Sequence, residues 1–125
     1  MKNKSLIEQA KKAAEKAYSP YSGLKVGAAL LTSSNEVFTG CNIENSSFGL
    51  TNCAERTAIF KAISEGHRNF KELVIYTDQD KIFFPCGACR QVIAEFCEDL
   101  PITIVSGRKK TERTLKKLFP DIFKL

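Results

Sequence analysis

A chain of 125 residues with 43% hydrophobic content is long enough for one compact core and too short to argue for two, so residues 1–125 are read as a single domain. No stretch approaches about eighteen uninterrupted apolar residues, and Met1-Lys2-Asn3-Lys4-Ser5 leads into a charged segment and not into the apolar core of a signal peptide, which predicts a soluble, cytoplasmic protein with no membrane partner. The net charge of +5 invites a nucleic-acid reading, but the cations sit in the first helix (Lys4, Lys11, Lys12, Lys16) and the tail (Arg108, Lys109, Lys110, Arg113, Lys116, Lys117) with Glu8, Glu15 and Glu112 among them. That mixture is the pattern of a solvated surface and argues against a phosphate-binding groove.

In chain order, Leu6, Ala10, Ala13, Ala14 and Ala17 recur at helical spacing, predicting a helix over 5–17 with Ser5 as N-cap and Glu8 completing a capping box. Ser19-Pro20-Tyr21-Ser22-Gly23 breaks it. Residues 25–32, with the run Val26-Gly27-Ala28-Ala29-Leu30-Leu31, read as an inner strand covered on both faces. Ser33-Ser34-Asn35 turns the chain into a return strand, 36–41, making an antiparallel hairpin. The polar stretch 42–52 reads as a loop, ending in Thr51 or Asn52 as the cap of a helix over 53–65 that Gly66 terminates. A strand at 72–77, a helix over 86–97 and a strand at 102–106 continue the alternation, and only Ser106-Gly107-Arg108-Lys109 precedes a last strand near 110–115. So short a connection requires that strand to be antiparallel. The predicted fold is α/β, a mixed five-stranded sheet between helical layers, with both later helices starting at strand carboxyl ends, where such sheets gather their sites.

The five cysteines are an odd number, and three stand as Cys53-Ala54-Glu55 and Pro85-Cys86-Gly87-Ala88-Cys89. Metal binding in a reducing compartment explains them better than a disulfide framework. Structural zinc sites close with a fourth protein ligand, whereas catalytic ones keep three and leave a position open; here no obvious fourth ligand exists, and Glu55 stands ready for proton transfer. Both segments open helices, where the partial positive charge favours thiolate and carboxylate. Cys41 and Cys97 are expected to be small buried hydrophobes, and His67, past the helix terminator beside Arg68, a surface residue.

Cys-x-Glu followed by Pro-Cys-x-x-Cys is the three-cysteine form of the zinc deaminase signature. With Pro20-Tyr21-Ser22, Val26-Gly27-Ala28-Ala29-Leu30, Gly40-Cys41-Asn42-Ile43-Glu44-Asn45, Cys53-Ala54-Glu55-Arg56 and Pro85-Cys86-Gly87-Ala88-Cys89-Arg90-Gln91, the chain resembles the small homotetrameric cytidine deaminases of pyrimidine salvage over nearly its whole length. The resemblance implies a three-layer α-β-α fold and a hydrolase that converts cytidine and 2′-deoxycytidine to the uridines with loss of ammonia. It implies that Cys53, Cys86 and Cys89 bind Zn²⁺, that Glu55 shuttles protons, and that Arg56 hydrogen-bonds the ligand sulfurs and offsets their charge. It further implies that Asn42 and Glu44 hold the ribose 3′-hydroxyl, that the backbone of Ala54 meets the base, and that Phe123 stacks on the pyrimidine from another subunit of a homotetramer, against the simpler expectation that this tail packs on its own domain.

Two departures stand out: Leu24 replaces a phenylalanine common in relatives against the base, and Phe48 replaces a tyrosine near the neighbouring site. Leucine can still cover an apolar base face, so altered affinity is expected before loss of chemistry. The alternatives are a blasticidin-type aminonucleoside deaminase, which shares the three-cysteine site, a nucleic-acid cytosine deaminase, whose relatives usually carry His-x-Glu and a parallel last strand, and a zinc-stabilised binding module in which Glu55 is merely a helix-start charge.

Overall fold

The computed structural model describes residues 2–125. Helix α1 (Lys2–Ala14) is followed by the hairpin β1 (Val26–Thr32) and β2 (Val37–Cys41), helix α2 (Ala54–Ser64), β3 (Phe70–Thr77), α3 (Gly87–Phe96), β4 (Pro101–Ser106), β5 (Lys109–Thr114) and a one-turn helix α4 (Leu115–Leu118). The strands form one sheet in the order β2-β1-β3-β4-β5, with only the β3–β4 pair parallel. That pair is joined through α3, as a parallel crossover demands, and β5 returns antiparallel as its two-residue turn requires.

Alternation along the inner strands divides the core in two. Ala28 and Leu30 of β1, Leu73 and Ile75 of β3, and Ile102 and Ile104 of β4 pack with Ala58, Ile59, Ile93 and Ala94 of α2 and α3. On the opposite face Ala29, Leu31 and Val74 meet Leu6 and Ala10 of α1. The result is the expected three-layer arrangement, with β1 covered on both sides because neither of its faces carries a polar residue before Thr32.

Three terminus expectations are corrected. Ser5 is not the cap of α1, because the helix begins earlier; its Oγ instead accepts from Gln9 Nε2 at 3.3 Å, and Asn3 in the added turn donates to Glu72 Oε2 at 2.6 Å. The helix also stops at Ala14 and not 17, since Tyr18 is drawn into pairing with the segment beyond β2, its N–H donating to the Asn42 carbonyl. Likewise neither Thr51 nor Asn52 caps α2. Asn52 exchanges two backbone hydrogen bonds with Ile43, each 2.9 Å, which keeps it extended and moves the cap to Cys53.

Gly40 sets how closely α2 can approach the sheet. A Cβ there would lie 2.5 Å from Ala58 N and 2.6 Å from Ala54 O, so the first turns of α2 rest directly on β2. Gly40→Ala must therefore displace the helix that carries Cys53 and Glu55. Overpacking of this kind costs about 1–3 kcal/mol, and urea denaturation should show that loss together with reduced zinc content.

Candidate metal centre and active site

Because β2 and β3 point the same way across β1, the segments leaving them emerge at one edge of the sheet. The stretch entering β1 from 19–25 reaches that edge too, since Val26 pairs with Thr77 and Gly27 with Cys41. Helices α2 and α3 both start there, and each is capped by a cysteine: Cys53 (φ −82°, ψ 158°) and Cys86 (φ −69°, ψ 171°). Neither side chain makes the usual capping hydrogen bond, which leaves both sulfurs available.

Cys89, one turn into α3, completes the cluster. The ligand atoms of Cys53, Cys86 and Cys89 lie within 4.8 Å of one another, with Sγ separations of 3.9 Å for Cys53–Cys86 and 3.5 Å for Cys86–Cys89. Tetrahedral zinc with sulfur ligands at about 2.3 Å places its sulfurs about 3.8 Å apart, so the donor set fits that ion in number, chemistry and spacing. No fourth His, Cys, Asp or Glu joins the group among the described residues. His67 is instead half-buried, 3.5 Å from Glu36 and tilted against the Phe38 ring, apart from the thiols as expected.

Arg56 donates from Nη2 to Cys53 Sγ at 3.2 Å, while its buried Nε has no protein partner among the described residues. Hydrogen bonds from the Cys89 thiol and from Arg56 hold Cys53 below the usual thiol range, and giving that bond while buried pushes Cys89 up. Zinc needs all three as thiolates, so metal uptake has to release protons from this site. Glu55, 6% exposed, has its carboxyl pushed up to about 7 by burial, against the opposing pull of its own backbone N–H, with the charge on Cys53 adding to the rise. The acid therefore stands within electrostatic reach of the sulfurs, and its burial makes both protonation states accessible near neutrality.

Further along the same edge, Asn42 and Glu44 are both buried. Asn42 accepts from Val26 N–H at 2.9 Å and donates to the Leu24 carbonyl at 2.8 Å. Glu44 Oε1 accepts from the backbone N–H groups of Tyr21 (3.0 Å) and Ser22 (3.1 Å), and Oε2 from the Ser22 hydroxyl. These bonds, the Ser22 hydroxyl foremost, hold the Glu44 carboxyl below the usual range. Ser22 and Tyr21 had no chemical role assigned from sequence; the available signal was a buried acid that must find donors, with a polar turn nearby to supply them.

Phe48 lies in a single 3₁₀ turn (Phe48–Leu50), 71% exposed, its edge against Tyr21 at 6.4 Å between centroids. Phe123 is 65% exposed, although its backbone is tied to α3 by Gln91 Nε2 at 3.0 Å and its neighbours Phe119 and Ile122 pack on the core. Thus the tail packs on its own domain while presenting one ring outward. Of the two remaining cysteines, Cys97 is buried, its thiol pushed up to about 11 by that burial, whereas Cys41 is only half-buried because it ends an edge strand. A cleft of 550 Å³ bordered by Glu72, Thr103, Glu112 and Arg113 lies on the sheet away from the thiols, so volume alone does not locate the chemistry.

Residues 1–104 match the family described as the cytidine and deoxycytidylate deaminase zinc-binding region. The cytidine deaminase of Sporosarcina psychrophila is 52% identical over 120 residues, 94% of this chain and 88% of that protein. The crystal structure of cytidine deaminase from Burkholderia pseudomallei aligns with a TM-score of 0.93 at 45% identity, covering 98% of this chain and 100% of the other. Blasticidin-S deaminase of Bacillus cereus is 32% identical over 103 residues, 76% of this chain and 74% of that protein. The chain belongs to the cytidine and deoxycytidylate deaminase family of zinc-binding proteins.

Removing the guanidinium that neutralises the sulfurs should weaken the metal site without removing a ligand. Loss of such a partner typically costs about 10–100-fold in metal affinity. Arg56→Gln is expected to show that loss in competition with a chromophoric zinc chelator.

Proposed function

We propose that this chain is a zinc-dependent cytidine deaminase, a hydrolase converting cytidine and 2′-deoxycytidine to uridine and 2′-deoxyuridine with release of ammonia in pyrimidine salvage. The observation that carries it is the three-thiol cluster assembled from two helix starts, open to a fourth ligand, with the buried Glu55 beside it.

When bound, zinc supplies the Lewis acidity that makes a water nucleophilic near neutral pH. Glu55 would take that water's proton and deliver it to N3 of the pyrimidine, then take the remaining proton from the new C4 hydroxyl, which becomes the carbonyl, and pass it to the departing amine. A C4–O bond forms, the C4–N4 bond breaks, and its electron pair leaves with ammonia. Asn42 and Glu44 orient the nucleoside through the 3′-hydroxyl, a contact available to ribose and 2′-deoxyribose alike. The Ala54 backbone meets the base and Leu24 covers its apolar face.

Phe48 and Phe123 are too exposed to enclose a substrate within one chain. A homotetramer in which each subunit lends such rings to a neighbour's site removes both the exposure and the gap. The free thiols suit the reducing cytoplasm. The blasticidin-type reading draws on a more distant relative, 32% against 52% identity, and the antiparallel β5 speaks against the nucleic-acid reading.

Glu55→Gln should retain zinc yet lose cytidine deamination, followed by ultraviolet absorbance, by about 10⁴-fold, the upper range of general acid–base catalysis; near wild-type turnover would sink the assignment. Sedimentation of the zinc-loaded protein should give a species of four chains whose activity falls on dilution below the assembly constant. A monomer with full activity would refute the shared site.

A further inference from the structure

The bonds around Glu44 lead beyond the reading just given, and rest on it for the role of Glu44 in binding the sugar. Among the described residues, the Glu44 carboxylate is held by the turn that precedes β1: Tyr21 N–H and Ser22 N–H on Oε1, the Ser22 hydroxyl on Oε2. The same Ser22 Oγ accepts from Leu24 N–H at 3.0 Å, so one hydroxyl bridges the acid and the residue expected to cover the base. Asn42 closes the circuit from the other side, donating to the Leu24 carbonyl and accepting from Val26.

We infer that Ser22 is a positioning residue for nucleoside recognition, its hydroxyl fixing the Glu44 carboxylate toward the sugar and coupling that carboxylate to the Leu24 backbone. The hydrogen-bond inventory permits this. A carboxylate offers about four lone-pair positions, and three are occupied by the turn, leaving one on Oε2 for a sugar hydroxyl. A Ser hydroxyl donates once and accepts twice; here its single proton goes to Glu44 and one lone pair to Leu24. Without that hydroxyl, Oε1 stays pinned by two N–H groups, but Oε2 loses the one partner that directs it among the described residues, and the Leu24 N–H loses its acceptor. Because Ser22 is exposed and belongs to a turn, neither packing nor the core depends on it.

The consequence is a defect in sugar recognition and not in chemistry. A hydrogen bond to a charged group is worth about tenfold or more in an equilibrium. Steady-state kinetics of the zinc-loaded enzyme on cytidine and 3′-deoxycytidine test it, with wild type, Glu44→Gln, Ser22→Ala and Ser22→Thr compared. Wild type should prefer cytidine by at least about tenfold. Ser22→Ala should raise the cytidine KM about tenfold, leave kcat within about twofold, and erase most of the discrimination against 3′-deoxycytidine. Ser22→Thr, which keeps the hydroxyl, should restore both values, and zinc content should stay constant throughout.

If Glu44→Gln abolishes the discrimination but Ser22→Ala preserves it, the positioning role is wrong while the sugar role of Glu44 stands. If Glu44→Gln leaves the discrimination whole, the underlying reading of Glu44 fails, and this inference with it. A Ser22→Ala enzyme that loses zinc, or loses kcat equally on both substrates, would show a merely structural role and overturn the proposal.

Discussion

The convergence of three sulfurs, with Cys53–Cys86 and Cys86–Cys89 separations of 3.9 and 3.5 Å, is the constraint on which the remaining architecture depends. Thiols on two helices far apart in sequence can meet only if both helices begin at the same sheet edge and at the same height. The first condition follows from β2 and β3 running in the same direction on either side of β1; the second from the close seating of α2 on Gly40. Placing cysteine at both N-cap positions, with neither sulfur spent on capping, brings two thiols from separate helices to one point at that edge.

Charge balance explains the company this cluster keeps. Three thiolates more than neutralise a divalent cation, which weakens it as a Lewis acid, and a carboxylate alongside adds to the excess. Arg56, one residue after Glu55 and bonded to Cys53, returns one positive charge where the excess lies. Glu55, by contrast, is not part of the three-thiol group and is buried, so its proton affinity rises. The neighbours Glu55 and Arg56 thus oppose each other electrostatically beside the same thiol group.

Most of this was legible in the chain because it is written in local patterns. Apolar runs marked β1, β3 and β4, the turn at 33–35 marked the return strand β2, the short 106–109 link specified the direction of β5, and Cys-x-Glu with Cys-x-x-Cys pointed to the three thiols that the fold brings together. What escaped were features set by tertiary pairing. The end of α1 is decided by Tyr18 reaching Asn42, and the cap of α2 by the Ile43–Asn52 exchange, neither of which leaves a trace in helix propensity. The short helix α4 was missed for a similar reason: it is anchored by Asp99, which accepts from Lys116 N–H, and by Thr114, which accepts from Lys117 N–H. Likewise the partners of Glu44 lie more than twenty residues upstream, so the acid was visible and its setting was not.

That setting changes the physical account of the proposed sugar site. Asn42 and Glu44 could have been free polar groups awaiting ligand, but both are buried and already committed to the turn 21–26. A buried carboxylate without partners would cost far more than a hydrogen bond returns; the turn removes that cost before any nucleoside arrives. Binding then needs no reorganisation of the acid, and the rotamer entropy of holding it is paid during folding. The aromatic side of the site is the reverse case, since Phe48 and Phe123 are left in solvent by the single chain. On the proposed function, the polar half of recognition is therefore complete within one chain, while the apolar half calls for a neighbouring subunit.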